Sequence, residues 1–454
     1  MSKTKKVLVL ITAMLLVLCS LSFSGGQKEA EAAEGTFPPG ELVIYGYGNP
    51  QFLLQYYDDF LERNRDIAPG VAVEIVQTEG EADARQKVTM SYTAAAYDEL
   101  PDVVFTAPVS MQAMAEAGIL EDLSEFVESV RDKFVDGAFD QIFYNGRYYG
   151  FPRSFRPKVL FYNIEIFEKY GIDPKEMDTV EGWIEVGRKL KKSSNGEVFL
   201  SYIDPGHRTW RYFGRRGFMP QANARIWDDE GDVVIDTDPG AKLAFDTLDT
   251  MYKEDLLFKS AIFQPPLYEA TRDGKIATYY IGAFWSEFLR QNLPDMEGKW
   301  RVMPAPMFED IGTRGAPTVA IESIVKKPKM PYAELYKKYW LDFHLNGEAR
   351  NRWTDKMVEQ NAPYPNPITP ELLADPYWKE PSAYYGGQSF REMEGIGLQN
   401  PSENLRVTVK DAEADQIISA EVEKYVAGDQ TMDQAIKNMG KVLRDRIGSA
   451  PAKK

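Results

Sequence analysis

Cysteine and histidine are nearly absent from this 454-residue chain: Cys19 stands alone, and the only histidines are His207 and His344. One thiol builds no disulfide framework, and so few groups leave little for a zinc centre or a histidine-based catalytic triad. Cations are outnumbered, 53 Lys+Arg against 69 Asp+Glu, and the net charge of -16 argues against a nucleic-acid or anionic-membrane partner. Catalytic signatures are missing as well. No G-x-S-x-G, H-E-x-x-H, G-x-x-x-x-G-K-[ST] or G-x-G-x-x-G occurs, and residues 45–49 (YGYGN) lack the third glycine of the last pattern. Adjacent acids such as Asp58-Asp59 and Asp228-Asp229 are expected by chance in so acidic a chain. No enzyme, cofactor or metal is therefore expected. What is plentiful is aromatic: 25 Tyr, 24 Phe and 8 Trp.

The first segment has its own logic. Lys3, Lys5 and Lys6 precede an uncharged run over 7–18, and Ser22 and Ser24 sit at the -3 and -1 positions of a cut before Gly25. The run is shorter than the roughly 20 residues needed to cross a bilayer, so residues 1–24 read as a secretory signal peptide. Cys19 follows Leu18 rather than a small residue, which disfavours the lipoprotein alternative. Removing 1–24 takes three lysines and no acid, so -16 becomes -19. Residues 25–40 (GGQKEAEAAEGTFPPG) hold almost no large apolar side chain and read as a flexible tether. A periplasmic or extracellular location is expected.

From Glu41 the pattern alternates. Strand patterns at 41–47, 71–79 and 102–106 alternate with helical ones at 50–64, 82–97 and 108–117, which predicts a parallel or mixed sheet covered by helices. Ligands of such sheets collect at the carboxyl ends of the strands, here 45–49, 78–80 and 105–107. Tyr45, Tyr47 and Asn49 end the first strand and are candidate ligand contacts. The second half carries longer amphipathic helices at 180–192, 239–255, 331–345, 347–359, 411–426 and 431–446, with short strands at 158–162, 277–281, 300–303 and 318–324. Residues 227–239 (WDDEGDVVIDTDP) do not fit the calcium-loop spacing and read as a hairpin with Glu230-Gly231 at its tip. An exported α/β chain rich in rings and poor in reaction machinery suits the binding of polar small molecules. Rings stack on the C–H face of a sugar, and Asp, Asn, Arg and Glu bond its hydroxyl rim.

Residues 145–173 (NGRYYGFPRSFRPKVLFYNIEIFEKYGID) resemble the stretch of family 1 extracellular solute-binding proteins, the sugar receptors of bacterial ABC importers, in which a G-x-x-Y-G-x-P crossing strand leads to a Y-Y-N strand end and a short helix. LPDVVF (100–105), EGWIEVGRKLK (181–191), GKIATYYIGAFWSE (274–287), RVMPAP (301–306) and KYVAGDQTMDQAI (424–436) follow in the family's order. The resemblance implies a two-lobed type II periplasmic-binding-protein fold. Each lobe would be a mixed sheet flanked by helices, and a multi-crossing hinge would join them. Prolines 152 and 157, then 304 and 306, then 363, 365 and 367 suit the crossings. Lobe one is expected at 41–152 and 305–360, and lobe two at 156–302 and 363–454.

The same resemblance implies the substrate-binding component of an ABC-type importer, a monomer that captures an oligosaccharide or related sugar and delivers it to a membrane permease. A secreted glycosidase with paired carboxylates remains the alternative from another class. Trp285 matches a position that in relatives stacks on a sugar ring. Trp210 and Arg211 lie where relatives open the second side of the cleft. Arg153 stands at a crossing, Glu322 ends the strand at 318–324, and Tyr385, beside Tyr384, stands in a two-glycine turn. Arg153 and Arg156 occupy positions where many relatives carry smaller or apolar residues. With Arg208 and Arg211 they leave an acidic saccharide open as the ligand.

Overall fold

The computed structural model describes residues 36–48, 50–360, 362, 364–403 and 405–452. The expected signal peptide with Cys19, most of the tether, Asn49 and Pro363 lie outside the described residues. Eight strands carry the two main sheets: β1 (Gly40–Gly46), β2 (Val71–Gln77), β3 (Val103–Thr106), β4 (Phe151–Arg156), β5 (Lys158–Asn163), β6 (Thr278–Gly282), β7 (Trp300–Pro304) and β8 (Thr318–Ile324). The helices that matter for the site are α1 (Leu54–Arg63), α2 (Glu81–Thr93), α3 (Pro108–Glu116), α4 (Trp285–Asn292), α5 (Ala333–Leu345), α6 (Gly347–Glu359), α7 (Phe390–Gly397) and α8 (Asp411–Ala427).

The first sheet has the order β2-β1-β3-β8-β4. β1 pairs in parallel with β2 and β3, while β8 runs antiparallel to both β3 and β4, so the sheet is mixed. β3 is buried at every position, as a central strand covered on both faces must be. β1 alternates instead, burying Leu42, Ile44 and Gly46. Helix α1 turns Tyr56, Tyr57 and Phe60 inward against α5, where Tyr57 stacks on Tyr339 at 3.9 Å. Trp340 of α5 packs between Phe134 and Phe151.

The second sheet is smaller: β5 in the centre, with β6 and β7 antiparallel on either side. A parallel pair, Ser201–Ile203 with Leu257–Lys259, lies beside it. Its core runs from Val159 to Phe308 and resumes from Tyr384 to Ala450. The chain passes from the first core to the second through Pro157, returns between Phe308 and Val319, and leaves again between Ile368 and Tyr384. The last two passages fall later than the proline-marked ones. Pro304 still pairs with Val159, because an edge position tolerates a residue without an amide hydrogen. Residues 227–233 close as a hairpin, with Trp227 bridging Val233 and Gly231 at a positive φ of 94°. The following helix starts on the Asp238 carboxylate, which accepts from the Ala241 amide.

Candidate functional site

A cavity of about 1030 Å³ lies between the two cores and takes its walls from both. The first wall consists of helix starts. Glu81 and Ala82 open α2, Ala107 to Ser110 open α3, and all of them line the cavity. Neither Gly80 nor Ala107, the residues preceding these helices, supplies a side-chain cap. The positive ends of both helices thus border the cavity. Gln112, one turn into α3, is buried, and its Oε1 has no hydrogen-bond partner among the described residues. A buried acceptor of this kind is costly unless a ligand donates to it.

The opposite wall is a helix of unusual width, Trp210–Phe218, with π-type turns, broken at Gly217 (φ -127°, ψ -106°). A π turn closes its hydrogen bond over five residues rather than four, so positions five apart come round to the same side of the helix. Arg211 and Arg216 are such a pair. Both reach Glu81 across the cavity, Arg211 Nη1 at 3.4 Å and Arg216 Nη2 at 4.0 Å. Gly214 leaves room for the Trp210 ring, whose edge a Cβ there would strike.

Helix α8 braces this wall. Arg215 forks onto Asp411 at 2.6 Å and Asp415 at 2.9 Å, Trp210 Nε1 donates to Asp415 at 2.8 Å, and Trp227 Nε1 donates to Asp411 at 3.0 Å. Burial raises the Asp415 carboxyl above its usual range against the pull of Arg215. Burial would also raise Glu81, but Arg211, Arg216, Arg85 and Arg215 together outweigh it and hold this carboxyl below its usual range. Arg216 moves the other way. Burial and the neighbouring Arg211 lower it, Glu81 offsetting only part.

Of the candidate contacts read from the sequence, Trp210 and Arg211 line the cavity. Tyr47 lies close by and donates to the Thr106 carbonyl at 2.9 Å; burial and Glu81 push its hydroxyl up to about 12 against Arg153, Arg211 and Arg216. Tyr45 faces away, toward the Glu99 carbonyl at 3.4 Å. Arg153 lies over the Phe105 ring at 4.2 Å and 3.9 Å from Glu322. Glu322 is buried in the first lobe and accepts from Tyr336 at 2.7 Å, and burial raises its carboxyl. The two therefore brace that lobe instead of reaching the cavity.

Trp285 is fully buried in the second core among Phe263, Tyr268, Tyr279 and Phe288, not at the cleft. Tyr385 is buried too, stacked on Phe390 at 5.0 Å with its hydroxyl 2.7 Å from Ser286 Oγ. Arg208 donates to the Ile262 carbonyl, and Arg156 is the strut between lobes: from β4 it bonds Glu287 of α4 and Glu394 of α7, the latter at 2.9 Å. Sequence reasoning missed Glu81, Gln112, Asp411 and Asp415. Only Glu81 left a signal, standing directly after the strand end at 78–80.

The match to the family model described as bacterial extracellular solute-binding protein spans residues 53–329. Among curated relatives, the arabinooligosaccharide-binding protein of Halalkalibacterium halodurans is 25% identical over 51% of this chain and 52% of its own, so the chain spans about half that relative's length. The arabinooligosaccharide-binding protein of Bacillus subtilis is 22% identical over 76% of each chain. Among solved structures, the ABC transporter associated binding protein from B. animalis subsp. lactis Bl-04, in complex with beta-1,6-galactobiose, superposes with a TM-score of 0.73 at 18% identity, covering 90% of this chain and 97% of that one.

Proposed function

The chain belongs to the bacterial extracellular solute-binding proteins and has their two-lobed α/β fold, and from that premise we propose that it captures an oligosaccharide in the cavity between its lobes and delivers it to the permease of an ABC importer. The observation that carries this reading is the cavity itself. At about 1030 Å³ it stands at the upper end of small-molecule sites and has room for more than one sugar ring. Its polar groups come from both lobes: the helix starts and Gln112 on one side, the arginines on the other. A polyol spanning the gap satisfies both sets only when the lobes are closed, which couples binding to closure. The names of the two curated relatives and the disaccharide in the structural one support short oligosaccharides as the class. No helix among the described residues is long and apolar enough to cross a membrane.

Incubation of the purified protein with a panel of neutral and acidic mono- and oligosaccharides tests the proposal by thermal shift, since a ligand of the folded state raises stability by RT ln(1 + [L]/Kd). Saturable binding with the sugar recovered intact is expected. New reducing ends, or no shift with any glycan, would overturn it.

A further inference from the structure

Two guanidiniums of the second lobe share one carboxylate that belongs to the first. The sharing is imperfect. Glu81 lies 3.4 Å from Arg211 and 4.0 Å from Arg216, and Glu81 Oε2 and Arg211 Nε are both buried without a hydrogen-bond partner among the described residues. Arg215, by contrast, is satisfied by two carboxylates of its own lobe. A third arginine, Arg85, lines the same cavity and adds to the field at Glu81. Near the wide helix, Arg211 and Arg216 thus have only Glu81 between them among the described residues, whereas Arg215 is held by Asp411 and Asp415. Arg406, Asp136, Asp140 and Glu403 line other stretches of the wall.

We propose that Arg211 and Arg216 form a carboxylate-reading subsite, that the saccharide taken by the cleft carries an acidic group of the uronate kind, and that Glu81 holds the place of that group in the empty cleft. The inference rests on the oligosaccharide reading above and refines its ligand class. A planar guanidinium fork matches a carboxylate in shape and charge, and an orphaned Nε gains most from an acceptor placed closer than Glu81. Glu81 also has somewhere to go. Arg85 stands four residues further along α2 on the same face, in the favourable acid-before-base order, so a displaced Glu81 carboxylate keeps a partner.

Calorimetric titration of the full chain with galactobiose and with digalacturonate tests this, each at low and at raised salt. The acidic sugar is expected to bind about tenfold tighter at low salt, the advantage shrinking as salt screens it. Glu81→Gln removes the resident competitor and is expected to tighten digalacturonate and to raise its affinity relative to galactobiose by about threefold or more. Arg211→Gln is expected to abolish the preference; opposite responses of two neighbours are not a consequence of misfolding, and Glu81→Gln with the salt series suffices if Arg211→Gln does not fold. Galactobiose binding as tightly as digalacturonate would overturn the subsite and leave the oligosaccharide reading standing, as would weaker digalacturonate binding in Glu81→Gln. Failure of both sugars and of every glycan in the panel would overturn the oligosaccharide reading and the subsite with it.

Discussion

The two walls of the cleft do comparable work with different materials. The first lobe presents the starts of α2 and α3, held where strands β2 and β3 end, with Glu81 and Gln112 on them. Any chain with this β-α order places helix starts there, so that wall belongs to the fold. The second lobe presents side chains gathered by a π-type turn and locked by α8, a segment nearly 200 residues further along. That wall depends on particular residues. The contrast teaches where ligand identity would be written under the proposed function: the shared fold would supply a general edge, and the Trp210–Phe218 segment the discrimination.

The largest expected effect breaks the link between the halves. Arg156→Leu leaves Glu394 and Glu287 facing each other in a buried place, and a loss of about 3–5 kcal/mol is expected in chemical denaturation. A loss below about 1 kcal/mol would mean the lobes do not depend on this strut. Next, Arg215→Met strands Asp411 and Asp415. A loss of about 2–3 kcal/mol is expected, with faster hydrogen exchange confined to 210–218 and the start of α8. Exchange spreading to α2 and α3 would erase the distinction between the walls.

Trp285→Phe tests the placement of that ring. A loss of about 1–2 kcal/mol is expected from reduced packing, with sugar affinity unchanged within twofold. A selective loss of affinity would move the site toward the second core.

The smallest effect is an acid limb. The Glu81 carboxyl is held below its usual 4.5, so its contribution to stability is full above that value and is lost as pH falls through the lower folded-state value. Thermal midpoints measured from pH 6 downward should fall more steeply for the parent than for Glu81→Gln, by less than about 1 kcal/mol in total. Equal slopes would mean that the bridge adds no stability.

Much of the scaffold was legible. The helix at 347–359 and the strand at 318–324 coincide with α6 and β8 residue for residue, and the opening β-α-β units fall within a few residues of their expected bounds. The helix at 347–359 opens on the Asn346 side chain, which accepts from the Ala349 amide, and the strands are short apolar runs; both are local properties. The site was harder. Trp285 and Trp210 are both aromatic residues in helical surroundings, and nothing local distinguishes a ring facing a cavity from one facing a core. That distinction arises from which distant segments pack nearby: Tyr268 and Phe288 close over Trp285, whereas Asp415 draws Trp210 to the cavity wall. The π turn escaped for a related reason. Its extra residue per turn pairs Arg211 with Arg216, a pairing that ordinary 3.6-residue periodicity does not reveal.

The insertion of β8 between β3 and β4 bears on how the protein is made. Its two neighbours in the first sheet are synthesised early, yet the strand that joins them arrives only after the whole second sheet has emerged. Until then β3 has a bare edge and β4 has no partner, so the first lobe cannot close on its own. Contacts so distant in sequence fold slowly because loop closure precedes the gain from pairing. A newly made chain therefore keeps its first lobe open until β8 arrives, and the interleaving of the two halves sets the time at which that lobe becomes rigid.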